Sequence, residues 1–225
     1  MTDAPTETEE PAEAAVESDP VREAILEQLT AQFKDGVVDS HIANGDLWVR
    51  VANEQWHDVV AFCKTTLNFR FFDFLSGLDW LNNPNLSAEK AWDADAETGE
   101  LALVARGFAG GDTRFQVLCR LKNVETNVGI TLKVDLADDN LSVATITDVF
   151  AGADWHERET WEMYGFTFDG HPGLRHLYLP GAFEGHPLRK DFPLLAREIK
   201  PWPGLVDKEP MPGEDAEPEE EGGGE

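Results

Sequence analysis

The 225-residue sequence contains only two cysteines, Cys63 and Cys119, and each lies in an apolar run. A disulfide framework needs more pairs than this, so we expect two buried, reduced thiols. Iron–sulfur clusters usually need about four thiolates. The cysteine content therefore excludes a cluster that is bound within this chain alone.

Long apolar runs are also lacking, because no stretch approaches the roughly 20 residues that span a bilayer. The first twenty residues contain seven acids and no base, unlike a secretory signal or an Arg-rich transit peptide. We therefore expect a cytosolic protein, or one on the cytosolic side of a membrane, that does not itself span the bilayer.

Positive charge is scarce, with 18 Lys and Arg against 44 Asp and Glu and a formal net charge of −26. This balance argues against direct binding to nucleic acid or to an anionic membrane. Much of the negative charge lies at the two ends of the chain. Acidic segments rich in Pro, Glu and Gly bury too little apolar surface to become ordered, so we predict disordered tails at 1–19 and 205–225.

Between these tails, the pattern changes from helices to strands. Helical spacing follows Asp19-Pro20 in "VREAILEQLTAQF" and recurs in "EQWHDVVAFCKTTL", while "GDLWVRV", "FRFFDFLSGLDWL", "ELALVARG", "FQVLCRL" and "GITLKVDL" have the character of strands. The Gly-Gly-Asp of "FAGGDTR" is a hairpin signal. We predict an α+β domain over 20–150, with a mainly antiparallel sheet and helices on one face.

Glycine and proline dominate the region from 151 to 204. We predict one helix, with Asp154 as its N-cap and Gly165 at its C-terminus, on which Arg158 can reach Glu162. The Pro and Gly residues that follow permit only short elements, and an irregular backbone needs other groups to satisfy its N–H and C=O groups. We therefore predict an extended, irregular segment over 151–204 that depends on docking to a partner protein.

The familiar catalytic motifs are incomplete. "HERET" begins like the zinc motif H-E-x-x-H, but Thr160 stands where the second histidine should be. "RGFAGGD" lacks the features of a nucleotide-binding loop. Glu157, Glu159 and Glu162 could supply paired carboxylates, but the sequence shows no cleft that would shift their pKa values. Interface contacts, caps and hydrogen bonds are the simpler roles for the nearby histidines.

Two blocks carry a resemblance to a known family. The first, "ADWHERETWEMYGFTFDGHPGLRHLY", has E-R-E, an acid three positions on, two large apolar residues, then His and Arg. The second, "EGHPLRKDFPL", matches the pattern G-x-P-L-R-K-D-[FY]-P. Together these blocks resemble the 30 kDa subunit of respiratory complex I, which is the C component of bacterial NADH-quinone oxidoreductase. Asp is more usual in the family where Glu162 stands, and the charge is preserved.

The resemblance implies a subunit of the hydrophilic arm of an enzyme that passes electrons from NADH to quinone and pumps protons. It implies that this chain has no cofactor and no complete active site, while partner subunits hold flavin and iron–sulfur clusters. It also implies a peripheral position on the cytoplasmic side of the cell membrane. The expected partner is the large D component, a subunit of the 49 kDa type that helps to form the quinone site.

The candidate interface residues all lie in the two blocks. Leu177, Tyr178, Leu188 and Phe192 are expected to bury apolar area, and the basic residues to pair with acids of the partner. The set comprises Glu157, Arg158, Glu159, Glu162, His171, Arg175, Leu177, Tyr178, Leu188, Arg189, Lys190, Asp191 and Phe192.

Two alternatives stay open at this point. One is the equivalent subunit of a related membrane-bound hydrogenase, or of a dehydrogenase that uses another electron donor, and companion proteins would discriminate it. The other is a stand-alone metal-dependent hydrolase, for which bound zinc near one equivalent would be the evidence.

Overall fold

A computed structural model of the chain describes residues 19–81 and 106–193. Residues 100–105 of the predicted strand "ELALVARG", residues 194–204 of the predicted docking segment and nearly all of both acidic tails lie outside the described residues. The predicted pairing of that strand in a hairpin therefore lies outside them too.

Three helices and seven strands make up the described structure. The chain runs α1 (Pro20–Phe33), β1 (Val37–Ala43), β2 (Asp46–Val51), α2 (Trp56–Thr65), β3 (Phe71–Asp79), β4 (Phe115–Asn123), β5 (Val128–Leu136), β6 (Ser142–Ala144), α3 (Ala153–Tyr164) and β7 (Thr167–Asp169). Short 3-10 turns at Lys34–Gly36 and Asn53–Gln55 precede β1 and α2.

Five strands form one mixed sheet in the order β1-β2-β5-β4-β3. Only the β2–β5 pairing is parallel, and the other three pairings are antiparallel. The predicted α+β class with a mainly antiparallel sheet is therefore confirmed. Strands β6 and β7 form a separate parallel pair beside the sheet.

The core lies between the sheet and the helices. Strand β5 contributes Ile130, Leu132, Val134 and Leu136, and these alternate with Thr131, Lys133 and Asp135 because successive side chains of a strand point to opposite faces. Helix α2 buries Trp56, Val59, Val60 and Cys63. Cys63 and Cys119 are both buried and unbonded, as predicted, and burial raises the pKa of the Cys63 thiol to about 12.

The opposite face of the sheet is partly covered by residues 106–112. Lys133 is 1% exposed, and its Nζ donates to the carbonyls of Arg106, Phe108 and Gly110 at 2.8, 2.8 and 2.9 Å. A buried ammonium group needs such partners to offset the loss of water. Lys133 therefore fixes residues 106–112 over the face of the sheet that points away from the hydrophobic core.

Helix α3 packs across β3, where a glycine permits close approach. A Cβ added to Gly77 would lie 2.7 Å from atoms of the Tyr164 and Phe166 rings. The helix begins at Ala153 with Gly152 as its N-cap, so the prediction of Asp154 as the cap was wrong by two positions. The prediction for its other end is confirmed, because Gly165 terminates the helix in the left-handed conformation, with φ +77°.

Candidate docking surface

Helix α3 organises the residues that follow it. We call residues 170–193 the C-terminal segment; the described part of it contains no strand or α-helix. The backbone of this segment was expected to need side chains, water or another protein for its hydrogen bonds, and docking to a partner stays a prediction. Side chains of α3 and of the sheet satisfy many of its backbone groups.

The carboxylate of Glu162 receives three backbone N–H groups of the C-terminal segment. Oε1 accepts from Leu179 at 2.7 Å, and Oε2 accepts from Leu177 at 3.0 Å and Tyr178 at 3.1 Å. Nδ1 of His176 lies 2.9 Å from Oε1, and it donates because the ionised carboxylate can only accept. One buried side chain thus fixes four consecutive residues of an irregular backbone.

The pKa of Glu162 reflects this arrangement. Burial by itself would raise the pKa of the carboxyl group, because desolvation disfavours the charged form. The three backbone donors and His176 outweigh burial and lower the pKa to about 2. Glu162 is therefore fully ionised near neutral pH.

Arg158 satisfies carbonyl groups of the same segment. Its side chain is 6% exposed, Nε donates to the carbonyl of Arg175 at 3.0 Å, and NH2 donates to that of His176 at 3.4 Å. NH1 pairs with Asp154 at 3.5 Å. Arg158 and Glu162 therefore do not pair with each other as predicted. Each of them bonds to the backbone of the C-terminal segment instead.

The last turn of α3 is capped by residues further along the segment. Nδ1 of His186 donates to the carbonyl of Glu162 at 2.9 Å, and the N–H of Leu188 donates to that of Met163 at 3.2 Å. The last carbonyls of an α-helix have no partner within the helix. The segment supplies those partners and is fixed in return.

Arg189 completes this cap. Its Nε donates to the carbonyl of Tyr164 at 2.6 Å, and its guanidinium lies 5.1 Å from the centre of the Phe115 ring, within cation–π range. A Cβ at Gly165 would lie 2.5 Å from His186 and 2.7 Å from Arg189. The glycine is thus required by both the backbone conformation and the close approach of the cap.

Asp79, the last residue of β3, joins the C-terminal segment to the sheet. Its carboxylate forms two bonds with Arg114, at 2.8 and 2.7 Å, and accepts from the N–H of Lys190 at 2.8 Å. Arg114 also pairs with Asp191 at 3.1 Å. Burial would raise the pKa of Asp79, but these donors lower it below its usual range.

Glu157 and His171 lie at the other end of α3, and both side chains are fully buried. Oε1 of Glu157 accepts from the N–H of Ile146 at 2.7 Å, and Oε2 accepts from the hydroxyl of Thr145 at 2.5 Å. Nε2 of His171 lies 3.3 Å from a carboxylate oxygen of Asp154. This cluster joins α3 to the chain after β6 and to the first residues of the C-terminal segment.

Large apolar side chains remain at the surface once these contacts are made. Leu188 is 49% exposed and Tyr178 is 65% exposed, although the backbone N–H of each is bonded to α3. Leu177, Phe183 and, on α3 itself, Trp155 add to this set. We call Leu177, Tyr178, Phe183 and Leu188 the apolar surface of the segment.

The predicted site residues thus divide into two groups. The first group bonds to partners within the chain and comprises Glu157, Arg158, Glu162, His171 and Arg189. Others remain accessible: Arg175 and Lys190 are exposed, and neither has an ion-pair partner within the described residues. Glu159 is half-buried, Asp191 pairs with Arg114, and the ring of Phe192 lies 6.0 Å from that of Phe183.

Sequence reasoning missed Asp79, which accepts from the N–H of Lys190, and Arg114, which pairs with Asp191. Both lie more than 75 residues upstream of these partners, and nothing in the sequence marks the pairing. It also did not assign the two histidines, His176 and His186, to the contacts they make. Caps and hydrogen bonds were the simpler roles expected of the histidines, but an irregular segment gives no register from which to assign their partners on α3.

Neither a metal centre nor a membrane span is found in the part of the chain that the structure describes. Residues 19–81 and 106–193 contain no group of three His, Cys, Asp or Glu side chains arranged to hold a metal ion. No helix within these residues combines the length and hydropathy needed to cross a bilayer.

The fold and this arrangement define a small α+β protein in which one helix fixes an irregular, apolar C-terminal segment. The family described as "Respiratory-chain NADH dehydrogenase, 30 Kd subunit" matches residues 49–198, which include α3 and the whole C-terminal segment. The chain belongs to this family.

Curated relatives include the C/D subunit of NADH-quinone oxidoreductase from Yersinia pestis (strain Pestoides F), which is 48% identical over 100 residues, 44% of this chain. The protein of the same name from Yersinia enterocolitica serotype O:8 is 48% identical over 97 residues, 43% of this chain. The match spans 17% of the first relative and 16% of the second.

Two solved structures are similar to this chain, and the likeness to the first of them shows a shared fold. One is titled "Structure of the membrane-bound sulfane sulfur reductase (MBS), an archaeal respiratory membrane complex"; its chain is 20% identical, with a TM-score of 0.56, over 77% of this chain and 86% of that one. Another is titled "Nqo5 of the trypsin-resistant fragment (1-134) in P63 form", with 23% identity, a TM-score of 0.49 and coverage of 68% and 98%.

Proposed function

We propose that this chain is a structural and assembly subunit in the hydrophilic arm of a proton-pumping NADH:quinone oxidoreductase. In this proposal the C-terminal segment docks the large quinone-site subunit of the 49 kDa type. The chain binds no flavin, iron–sulfur cluster or metal and contributes no complete active site. It reaches the cytoplasmic side of the membrane through the complex.

One observation carries the proposal: apolar side chains are exposed on a backbone that is fixed. The backbone N–H groups of Leu177 and Tyr178 bond to Glu162, and that of Leu188 bonds to the end of α3. The side chains of all three residues are exposed. Exposed apolar patches typically mark interaction sites. A surface that is ordered before binding loses less conformational entropy on association.

The names of the relatives support the choice of partner. The curated relatives carry the letters C and D in one name, and the match covers only a small part of their length. A chain similar to this one is thus found together with a further component in one polypeptide. Permanent complexes commonly bury on the order of 2,000 Å² or more, which favours a partner that covers much of the segment.

The exposed cations suggest how the partner is oriented. Arg175 and Lys190 flank the apolar surface of the segment in sequence, while the chain as a whole is strongly acidic. We expect carboxylates of the partner opposite these two side chains, since complementary charge fixes register and suppresses wrong partners.

Leu188→Asp tests the proposal. A tagged copy of the full chain is expressed in cells that make the complex, the membranes are solubilised in detergent, and proteins that are captured with the chain are identified by mass spectrometry. The wild-type chain is expected to recover the large quinone-site subunit, and Leu188→Asp to recover at least about tenfold less, because a buried carboxylate at an apolar contact is costly.

Val124→Asp is the matched control, because Val124 is 65% exposed but lies in the turn between β4 and β5. Equal recovery of the large subunit with all three chains would contradict the docking proposal. Recovery of hydrogenase subunits in place of NADH-oxidising ones would support the related membrane-bound complex. Zinc near one equivalent in the purified chain would support the hydrolase.

A further inference from the structure

Residues 106–112 form a loop that takes no part in the docking proposed for the C-terminal segment. We call it the outer-face loop, because it covers the face of the sheet that points away from the hydrophobic core. The Gly-Gly-Asp motif of the sequence lies in this loop. Lys133 is buried beneath the loop and donates to three of its carbonyl groups, so the loop has a fixed position on the sheet.

Two further side chains of the sheet hold the outer-face loop from below. Nε of Arg50, on β2, donates to the carbonyl of Ala109 at 3.0 Å. Nε2 of Gln116, on β4, donates to the carbonyl of Gly110 at 3.1 Å, and Gln116 is fully buried. Polar side chains from three neighbouring strands thus fix one short loop.

The backbone of the outer-face loop has an uncommon conformation. Gly107, Ala109, Gly110 and Gly111 have positive φ angles of +63°, +58°, +54° and +144°. Ala109 has a Cβ, for which the left-handed region is unfavourable. Such residues persist only where the surrounding structure holds them, and they cluster at ligand clamps and other functional sites. The conformation therefore points to a use for the residue that the loop presents.

Phe108 is the large apolar side chain that the loop presents. It is 39% exposed, and its ring lies 4.8 Å from the His41 ring, with an angle of 9° between the two planes. The Trp48 ring lies 5.6 Å from that of Phe108. His41 and Trp48 are paired across β1 and β2, so the three rings form one surface at the β1 edge of the sheet. We call these three side chains the aromatic shelf.

The exposed charges on the outer-face loop and on β1 are negative. Asp112 ends the loop, and its side chain is 93% exposed. Asp39 is exposed on β1, and its Oδ2 lies 3.5 Å from the position of a Cβ at Gly110. The basic groups of Lys133 and Arg50 beneath the loop are already bonded to its carbonyl groups. The aromatic shelf therefore lies beside two accessible carboxylates.

We propose that the aromatic shelf, together with Asp39 and Asp112, is a second docking surface, and that it takes a positively charged segment of another protein. An arginine side chain of that segment fits best, because a guanidinium group stacks on an aromatic ring and also bonds to carboxylates. Phe108 supplies the ring, and the two aspartates supply the charge. Because the loop is fixed before binding, little conformational entropy is lost on association.

Charge argues against a second copy of this chain as the occupant. In a two-fold dimer the same surface of each copy meets its counterpart, which would bring Asp39 and Asp112 of both copies together. Each chain also has a formal net charge of −26. A positively charged segment instead gains from both carboxylates, and complementary charge fixes its register.

The second docking surface and the C-terminal segment lie on different sides of the sheet. Asp79, at the end of β3, accepts from the N–H of Lys190 in that segment. The next residue, Trp80, lies on the outer face, where its ring is 5.5 Å from Nζ of Lys133. The proposal therefore does not depend on which protein binds the C-terminal segment.

Photo-crosslinking of the full-length chain tests the proposal. Phe108 is replaced by p-benzoylphenylalanine, which keeps an aromatic ring at this position, and the tagged chain is expressed in the cells that normally make it. After irradiation the chain is purified, and the linked peptides are identified by mass spectrometry. We expect a link to another protein, with an arginine or lysine within about three residues of the linked position, a reach of roughly 10 Å.

Two double variants of the crosslinking chain separate a specific contact from general charge attraction. Asp39→Asn/Asp112→Asn removes the two carboxylates beside the aromatic shelf, and the amide oxygen at position 39 still accepts from the N–H of Ser40. The yield of the link is expected to fall by at least about fivefold, because complementary charge is lost. Asp138→Asn/Asp139→Asn removes the same charge from the exposed turn after β5 and should retain the yield.

Hydroxyl-radical footprinting of the unmodified chain provides a measurement that needs no substitution. Phe108 is expected to react at least about fivefold more slowly in the assembly purified through the tag than in the isolated chain, because the centre of an interface excludes water. Val124, in the turn between β4 and β5, should react equally in both samples.

Several outcomes would overturn the proposal. The first is crosslinking only within the chain, residues 82–105 included, only to a second copy, or to no protein at all. The second is a linked segment without arginine or lysine near the link. Equal yields from the two double variants, or equal reactivity of Phe108 in the two samples, would also overturn it. A link to the large quinone-site subunit or to any other subunit supports it equally, and docking of the C-terminal segment is decided separately by Leu188→Asp.

Discussion

Glu157 and Glu162 lie five positions apart on α3, and their carboxyl groups differ in what surrounds them. Glu157 is buried with two donors and neighbouring acids, which leaves its pKa at about 7. Glu162 is buried with four donors, which leaves its pKa at about 2. Burial and neighbouring acids dominate at Glu157, whereas the four donors outweigh burial at Glu162, so the two carboxyl groups differ in charge near neutral pH.

Glu162→Gln is predicted to destabilise the chain by about 1–3 kcal/mol at pH 7, because a charged acceptor of several N–H groups is lost. Urea unfolding measures this change. Glu159→Gln, a half-buried neighbour on the same helix, should change stability by less than about 0.5 kcal/mol. Equal effects of the two substitutions would contradict the assigned role of Glu162.

The same variant has a pH signature. Because the folded pKa of Glu162 is lowered from 4.5 to about 2, its contribution is present above pH 4.5 and is lost as the pH falls towards 2. The unmodified chain should therefore lose stability in acid relative to Glu162→Gln. The pKa of Glu157 is raised rather than lowered, so its contribution to stability changes with pH in the opposite direction.

Sequence reasoning at the residue scale identified α3 as the important helix but assigned its charges to a partner. The E-R-E pattern and the acid after it mark Glu157, Arg158 and Glu162 as unusual, and all three are buried. Their partners could not be predicted, since a segment without periodicity gives no register against which to align donors and acceptors.

At the scale of elements, the end of α3 and residues 186–189 stabilise each other. The helix leaves carbonyl groups without partners, and His186, Leu188 and Arg189 supply donors for them. Gly165 allows these groups to approach. The helix end and the C-terminal segment should therefore loosen together.

Gly165→Ala is predicted to cost about 1–2 kcal/mol more than Gly45→Ala, as measured by urea unfolding. Both glycines have similar left-handed φ values, +77° and +72°, so the backbone strain is comparable. Only at Gly165 would the new methyl group displace a cap, because no atom lies within 4 Å of a Cβ at Gly45. Equal costs would show that the cap contributes little.

Alternating apolar and polar residues predicted most strands of the sheet, but they did not predict the edge strand β1. Its sequence, "VVDSHIA", has polar residues on both faces and an irregular register near Val37, as edge strands often do. The signal for it was the Asn44-Gly45 turn, in which both residues have positive φ. Asn-Gly is the strongest short-range hairpin signal, and it places β1 before β2.

At the scale of the whole molecule, an α+β domain and an irregular segment form one described structure. Asp79 and Arg114 fix the C-terminal segment to the sheet, and α3 fixes it along its length. This arrangement explains how an apolar segment without regular structure can be ordered in the chain itself while still presenting Tyr178 and Leu188 outward.

Hydroxyl-radical footprinting of the free chain and of the purified complex tests the central claim most directly, since it measures the exposure of individual side chains. We predict that Tyr178 and Leu188 react readily in the free chain and at least about fivefold more slowly in the complex, while Val124 reacts equally in both. Equal reactivity of Tyr178 and Leu188 in the two samples would contradict the claim that a partner covers this surface.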